Sequence, residues 1–429
     1  MRRRVGFVVA LGLAGCGDDG GSVGETDGGT GGELSTSSGD VADASSSGAG
    51  SSTDAAESSS GSSSGGGSAA DGLFERGQYE VGFQTLDISH QPRWLDEPRV
   101  LSTRVWYPAA ADSGAEDATY AVAGIVEVPA IDVLDAPPVN GDGPFPVVVY
   151  SHGSGGVGLL AYPYAELFAS HGWIVVAPNH VGNTALDAVG ETSDPFARIM
   201  VNRPADIIAS LDWLEEDAPG DLLGAGDLSN VFLFGHSFGG YTTFAVGGGA
   251  LDVDALIAGC AGEDCDIYAE DAVETALRDG FADPRIDAIA PQAPALIPAF
   301  TPESLGALPV PTMLQSGRLD MTTTQTEQAE PAWAALQGAD DVWVEMPQGA
   351  HFTFITICDD LDESLIALFQ PDAPMDGCGP DFLPSAEAVP VLAAYTLAYA
   401  TTHVLGDDTW AEFISETPLA DGFEITLKP

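Results

Sequence analysis

The chain has 429 residues, with 65 Asp and Glu against 13 Lys and Arg, giving a formal net charge of -52. Lys428 is its one lysine. So acidic a surface repels a phosphate backbone, which excludes nucleic-acid binding as the main activity, and it suits concentrated salt. With 45% hydrophobic residues the chain has enough apolar content for one large folded domain.

Residues 1–16 read as an export signal. Arg2, Arg3 and Arg4 form its positive end, and Val5 to Leu13 form a short apolar run. That run is far below the roughly 20 residues that span a bilayer. The signal ends in Leu13-Ala14-Gly15-Cys16, which resembles the bacterial lipobox. The resemblance implies that Cys16 is acylated and becomes the new first residue. No later stretch reads as long and apolar enough to span, so membrane contact is expected only through this N-terminal lipid anchor. Residues 17–71 are mostly Gly, Ser, Thr, Ala, Asp and Glu. Such a segment buries too little apolar surface to offset its ordering entropy and reads as a disordered tether. About 55 residues of such coil reach on the order of 40 Å. Residues 72–429 then form the folded domain, exported and held at the cell envelope.

Within that domain Val81 to Leu86 and Val100 to Tyr107 alternate loosely, as an opening antiparallel pair does. Short continuous apolar runs follow at Val147 to Tyr150, Trp173 to Ala177, Val231 to Phe234, Ile286 to Ala290, Pro311 to Gln315 and Val342 to Met346. Helical patterns lie at Leu160 to His171, Arg203 to Asp217, Tyr241 to Val246, Thr326 to Leu336 and Ser385 to Leu405, with Pro331 kinking the fourth or marking its start. Buried strands alternating with helices predict an α/β fold, a mostly parallel sheet covered on both faces. The even cysteine count in an exported domain predicts disulfides, with Cys260–Cys265 and Cys358–Cys378 preferred because each pair brackets a loop. No close Cys-x-x-Cys and no nearby histidine pair supports zinc, so no metal or cofactor is expected.

Gly235-His236-Ser237-Phe238-Gly239 fits Gly-x-Ser-x-Gly. The pentapeptide is weak by itself, since Gly20 to Gly24 and Gly61 to Gly65 also match inside the tether. Only Ser237 follows an apolar strand and precedes a helical stretch, the context of a nucleophile elbow. Upstream, Val147 to Tyr150 runs into Ser151-His152-Gly153-Ser154-Gly155-Gly156, a glycine-rich turn suited to presenting amides. Such a turn gives one oxyanion donor and the residue after the serine gives the other. The candidates are the amides of Ser154 and Phe238, with Gly155 as neighbour to the first. The base should be a histidine titrating near neutrality. His351, just past the last apolar strand, has the right position and chain order. His152 and His180 lie near strand ends and can line the site. His236 points elsewhere, His403 reads as a surface residue, and His90 and His171 have no such placement. Asp320, directly after a strand, is the candidate acid, whereas Asp287, Asp340 and Asp341 fall toward the wrong edge of the sheet. Between the last two cysteines Leu361, Leu365, Ile366, Leu368 and Phe369 recur at near-helical spacing, as an apolar wall for an acyl chain or as simple core.

These residues resemble the α/β-hydrolase superfamily, and within it the predicted dienelactone hydrolases and platelet-activating-factor-acetylhydrolase-like esterases. The resemblance runs from about Val81 to the C-terminus. It is carried by Val105-Trp106-Tyr107-Pro108, Pro146 to Gly156, Ala177-Pro178-Asn179-His180, Arg203-Pro204-Ala205-Asp206-Ile207, Gly235 to Gly240, Asp283-Pro284-Arg285-Ile286, Ala290 to Pro294 and Gly349 to Phe354. It implies Ser237 as nucleophile, Asp320 as acid, His351 as base, and a serine carboxylic-ester hydrolase acting on neutral small or lipid-like esters. Two departures stand out. True dienelactone hydrolases use cysteine where this chain has Ser237. The acetylhydrolases carry their acid after an earlier strand, yet Ala290 to Pro298 holds no carboxylate. The alternatives are a peptidase or amidase on the same triad, and a non-catalytic hydrolase-like domain displayed for binding.

Overall fold

A computed structural model describes residues 71–428 apart from 123–125, 129, 131, 261–264 and 416. The expected signal, Cys16 and nearly all of the tether lie outside the described residues.

The opening pair is present and longer than its alternation suggests. Strand β1 (Glu80–His90) pairs antiparallel with β2 (Arg99–Ala109) over its full length. Three short strands follow that no periodicity announces: β3 (Tyr120–Val122), β4 (Val126–Val128) and β5 (Val133–Asp135). The first two form a separate ribbon, and β5 adds to the edge of β1. The six apolar runs become β6 (Phe145–Ser151), β7 (Ile174–Pro178), β8 (Gly226–His236), β9 (Ile286–Gln292), β10 (Met313–Gly317) and β11 (Val342–Met346), and β12 (Glu424–Leu427) closes the chain. One sheet runs β12-β11-β10-β9-β8-β6-β7-β2-β1-β5. From β7 through β6 to β11 every neighbour is parallel. The chain leaves β6 for β7 on one side and returns to place β8 on the other. That reversal is a topological switch point, where strand ends open a crevice.

Alternation along each strand divides the core in two. Val147, Val149, Val231 and Leu233 face one layer, containing helices α3 (Phe196–Glu216) and α4 (Phe238–Val246). Val148, Tyr150, Phe232 and Phe234 face the other, containing α1 (Tyr162–Ser170) and α6 (Ser385–Leu405). Side chains at i and i+2 share a face, so a continuous apolar strand serves both layers. Each fully buried Val, Leu or Phe contributes roughly 1.5–3 kcal/mol. The short helices α2 (Ala185–Gly190) and α5 (Glu363–Phe369) lie in loops beyond the strand ends.

Two helices show how local rules yield to packing. Helix α3 begins at Phe196, not at Arg203, and carries Pro204 in its interior. Proline cannot donate to the carbonyl four residues back, that of Met200. The hydroxyl of Tyr241, on α4, donates to Met200 O at 3.1 Å instead. The helix expected at Thr326–Leu336 is confined to Ala329–Ala335, with Pro331 in its first turn, where a missing N–H costs little. By length and apolarity α6 is able to cross a membrane, which corrects the expectation that no stretch after the signal qualifies. Its apolar residues are instead buried against the sheet, as in a core helix. Both local disulfides are formed, Cys260–Cys265 and Cys358–Cys378.

Candidate active site

Strand β8 ends at His236 and α4 begins at Phe238, so Ser237 alone makes the turn. Its backbone sits at φ 60 and ψ -116, a region that residues with a Cβ rarely occupy. Neighbours hold the strain in place. Ser237 N donates to Gln292 O at 2.9 Å, and Ser237 O accepts from the amides of Gly240 and Ala295. The flanking glycines serve close approach. A Cβ on Gly235 would lie 2.6 Å from Gly239 O, and one on Gly239 would fall on Ser151 O. The elbow therefore packs directly on the Ser151–Gly156 turn.

The three expected side chains meet at the carboxyl ends of β8, β10 and β11. Ser237 Oγ is 3.0 Å from His351 Nε2, and His351 Nδ1 is 2.9 Å from Asp320 Oδ2. With Nδ1–H donated to the carboxylate, Nε2 is free to accept the serine proton. Glycines again set the spacing: a Cβ on Gly317 would lie 2.6 Å from the Gly349 carbonyl, so the turns bearing acid and base touch through their backbones. Asp320 Oδ1 accepts the amides of Thr322 and Thr323. The Thr323 hydroxyl lies 2.7 Å from Asp320 Oδ2 and 3.1 Å from His351 Nδ1. Burial opposes charge on both partners, yet each sustains the other. Against burial, the His351 charge and the hydrogen bonds from His351 and Thr323 hold Asp320 below the ordinary carboxylate range. Against the same burial, the Asp320 charge and hydrogen bond, with Asp376 adding to them, hold His351 above its usual 6.5.

Among the described hydrogen bonds, the amides of Ser154 and Phe238 have no acceptor, while Gly155 N donates to Asn183 O and Gly156 N to Gly153 O. The neighbouring candidate Gly155 is therefore engaged, and Ser154 and Phe238 remain. Phe238 also heads α4, whose N-terminal amides favour a developing anion. The loop is held from beneath by Arg203, which is fully buried. Its guanidinium donates to Asn183 Oδ1 at 2.6 Å, to Thr242 Oγ1 and Ser151 Oγ at 3.2 Å, and to His152 O. Asn183 in turn donates to Ser154 Oγ at 3.0 Å. The same guanidinium lies 5.1 Å over the Phe238 ring. Sequence reasoning singled out the Arg203–Ile207 stretch only as part of a resemblance and assigned Arg203 no role.

Next to Arg203 lies a second serine, histidine and aspartate relay. Ser151 Oγ is 2.9 Å from His180 Nε2, and His180 Nδ1 is 3.0 Å from Asp206 Oδ2. Asp206 also accepts from Arg99 and lies 2.8 Å from His90 Nε2. Burial would raise that carboxyl, but Arg99 above all, with hydrogen bonds to His180 and His90, keeps it well below the usual range. His180 is lowered to about 3, by burial first and then by the Arg203 charge. Ser151, His152, His180 and Asp206 are all fully buried. His152 and His180 thus support the loop and do not line the site, which corrects that expectation. His236 does point away: its ring packs 4.7 Å from that of His351, and its Nε2–H donates to His351 O at 2.8 Å. The expected wall between Cys358 and Cys378 is divided. Ile366 turns into a small core with Phe352 and Ile355, whereas Leu368 is 58% exposed. Asp287 accepts Val231 N and Asp341 accepts Thr312 N, both at the opposite edge of the sheet. Among the described residues no cluster of three His, Cys, Asp or Glu side chains is arranged to hold a metal ion.

Comparison with known proteins points to the same fold. The sequence model of the Chlorophyllase family matches residues 120–264, a span that includes Ser154 and Ser237 but neither Asp320 nor His351. No curated protein matches the chain in sequence. Among solved structures, the ferulic acid esterase from Streptomyces cinnamoneus is similar, with a TM-score of 0.52 and 22% identity, over 77% of this chain and 92% of that one. With its mostly parallel sheet, a serine elbow at the switch point and this structural likeness, the chain has the α/β-hydrolase fold.

Proposed function

We propose that this protein hydrolyses carboxylic esters through an acyl-enzyme formed on Ser237. The carrying observation is the unbroken line of hydrogen bonds from Ser237 Oγ to His351 to Asp320, beside the Ser154 and Phe238 amides, which have no acceptor among the described residues. His351 Nε2 takes the Ser237 proton as Oγ attacks the ester carbonyl. The amides of Ser154 and Phe238 receive the oxyanion, and Asp320 stabilises the imidazolium. His351 then protonates the departing alcohol, and water repeats the cycle to free the acid. The likeness to a ferulic acid esterase points the same way.

Neutral and apolar esters suit the site best. The net charge of -52 disfavours anionic substrates. Leu186, Met321, Leu368 and Met375 are exposed, and each lies within a few residues of a group that contacts the site. Asn183, Asp320, Gln370 and Asp376 are those groups. The reading extends to location: the two closed disulfides support an exported protein, and acylation at Cys16 belongs to the same proposal on the sequence of the signal alone. The function is tested with Ser237→Ala, which should abolish both p-nitrophenyl acetate hydrolysis and fluorophosphonate labelling. Labelling that persists at wild-type level in that variant would sink the assignment.

A further inference from the structure

The segment closed by Cys358 and Cys378 touches each part of the site without supplying a reacting group. Gln370, just after α5, donates through Nε2 to Gly155 O at 3.2 Å, in the oxyanion turn. Asp376, 2% exposed, holds the other two parts together. Its Oδ1 accepts the amides of Met321 at 3.0 Å and His351 at 3.2 Å. Its Oδ2 accepts the Thr322 hydroxyl at 2.7 Å, and its backbone carbonyl accepts Phe352 N at 2.9 Å. One side chain therefore bonds the residue after the acid and the base itself. The next residue makes the approach possible. Gly377 has φ +138, and a Cβ there would lie 2.9 Å from Phe352 N. The residue after that is Cys378, bonded to Cys358.

We propose that Asp376 is a positioning residue that locks the base-bearing turn to the acid-bearing turn, and that the Cys358–Cys378 bond keeps it seated. The inference rests on the assignment of Ser237, Asp320 and His351 to the reaction. Its physical basis is spacing. The acid and base lie on separate turns after β10 and β11, and their relay depends on a 2.9 Å contact. The two turns already meet through their backbones, where Leu319 N donates to Gly349 O at 2.9 Å, and Asp376 adds a second tie at the base itself. Asp376 accepts from both turns at once, and as a buried anion it also favours the charged form of His351. The titratable groups facing His351 are Asp320, Asp376 and His236, and burial lowers His236 to about 3, so it stays neutral across the working range.

The test uses the mature chain and four variants: Asp376→Ala, Asp376→Asn, Cys358→Ser with Cys378→Ser, and Cys260→Ser with Cys265→Ser. Kinetics on p-nitrophenyl esters give kcat, KM and the acid limb, and proton NMR follows the downfield resonance of the His351 Nδ1–H. Asp376→Ala should lower kcat by about 10- to 100-fold, as small misplacements of catalytic groups do, with KM changed less than about threefold. Asp376→Asn keeps an oxygen for both amides. It should recover most of kcat but move the acid limb to lower pH, because a negative charge has gone. The first cysteine pair should behave like a weaker Asp376→Ala, and the second should leave kcat unchanged. The inference is overturned if folded Asp376→Ala keeps wild-type kcat, or if Asp376→Asn leaves the acid limb in place. A wild-type chain inert toward every ester overturns the esterase reading alone. In that case the NMR signal decides: a resonance unaltered in Asp376→Ala overturns the positioning role, and its loss supports it.

Discussion

Replacing Arg203 with methionine is the sharpest perturbation of the oxyanion turn that leaves all reacting groups in place. The long side chain is kept, so the change is mainly loss of the guanidinium fork. Thr242 Oγ1 retains a partner, since its hydroxyl donates to Phe238 O at 3.0 Å. Ser151 Oγ retains His180. His152 O and Asn183 Oδ1 lose their charged donor inside a site with no exposure at Arg203. Each buried acceptor left unpaired costs about 1–3 kcal/mol, so a rigid site loses about 2–6 kcal/mol. Two effects reduce this. Arg203 is itself an expensive buried cation, lowered to about 9 by burial against the opposing pull of Asp206, and removing it relieves that cost. The cation also makes no direct bond to Asp206, whose partners Arg99 and His180 remain.

The expected stability loss is therefore near the lower end, about 2 kcal/mol. The easiest relaxation is outward movement of the 153–156 turn, because Ser154 is already exposed. That movement withdraws the Ser154 amide, and loss of one oxyanion donor typically costs about 10²–10³ in kcat. Arg203→Met should accordingly lower kcat by about 100-fold and leave KM within about threefold, with a urea midpoint reduced by about 2 kcal/mol equivalent. Arg203→Lys, with no fork, should fall between it and the wild type. A folded Arg203→Met enzyme with kcat within about twofold of wild type would refute the argument that this guanidinium holds the oxyanion site together.

The remaining predictions concern pH and location. His351 is held above 6.5, so kcat/KM should decline below a midpoint that lies above 6.5, and a midpoint below that value contradicts the Asp320 and Asp376 contribution. Stability should run with the opposite group of histidines. His180 and His236 are each lowered to about 3, burial being the largest cause, so the unfolded chain binds protons that the folded chain refuses. Their contribution is complete above pH 6.5 and is lost as pH falls toward 3, at about 1.4 kcal/mol per pH unit per group. His351 opposes this, since its raised value adds stability below 6.5 that is lost as pH rises through the folded value. His152, also held well below 6.5 by burial first, acts in the same direction, so these groups outweigh His351 and the urea midpoint should decline steadily from pH 7 to pH 5; a flat midpoint would contradict it. Cys16→Ser should move the protein from the membrane fraction to the soluble fraction without altering kcat, and retention in the membrane fraction would argue for another anchor.

What was legible in the sequence depended on how local each signal is. Val231 to Phe234 followed by Gly-x-Ser-x-Gly marks a strand and a turn within nine residues, and both are present at β8 and Ser237. Asp320 and His351 followed from chain order plus position just after an apolar strand, two signals that survive without contacts. Strand β12 escaped notice because Glu424–Leu427 is short, half-exposed and gains its pairing only from β11. Asp376, Thr323 and Arg203 escaped for a different reason. Their long-range partners are backbone groups and side chains between 20 and 55 positions away, and no spacing encodes them. His152 and His180 were placed correctly near strand ends, but burial depends on what packs above, and here the glycine turn and α3 cover them. The leucine-rich segment after Cys358 had one spacing and two environments, so Ile366 and Leu368 parted.

The second relay gives the strictest test of the proposal that Ser237 is the nucleophile, because distance alone does not choose between the two. Ser151, His180 and Asp206 are spaced at 2.9 and 3.0 Å, as well aligned as Ser237, His351 and Asp320. Three differences decide. Ser151 has no exposure, whereas Ser237 is 7% exposed, so only the latter can meet a carbonyl. His180 is lowered to about 3 by burial and by the Arg203 charge, and is therefore a poor proton acceptor at neutral pH, whereas His351 is raised. Ser151 Oγ also accepts from Arg203 at 3.2 Å, which ties up the electron pair an attack requires. Ser151→Ala should thus leave fluorophosphonate labelling complete and kcat within about tenfold of wild type, the loss arising from one hydrogen bond under the oxyanion turn. Ser237→Ala should leave Ser151 unlabelled even after prolonged exposure to the reagent. A labelled peptide containing Ser151, identified by mass spectrometry in the Ser237→Ala chain, would show that the buried relay opens to solvent and that burial does not silence it.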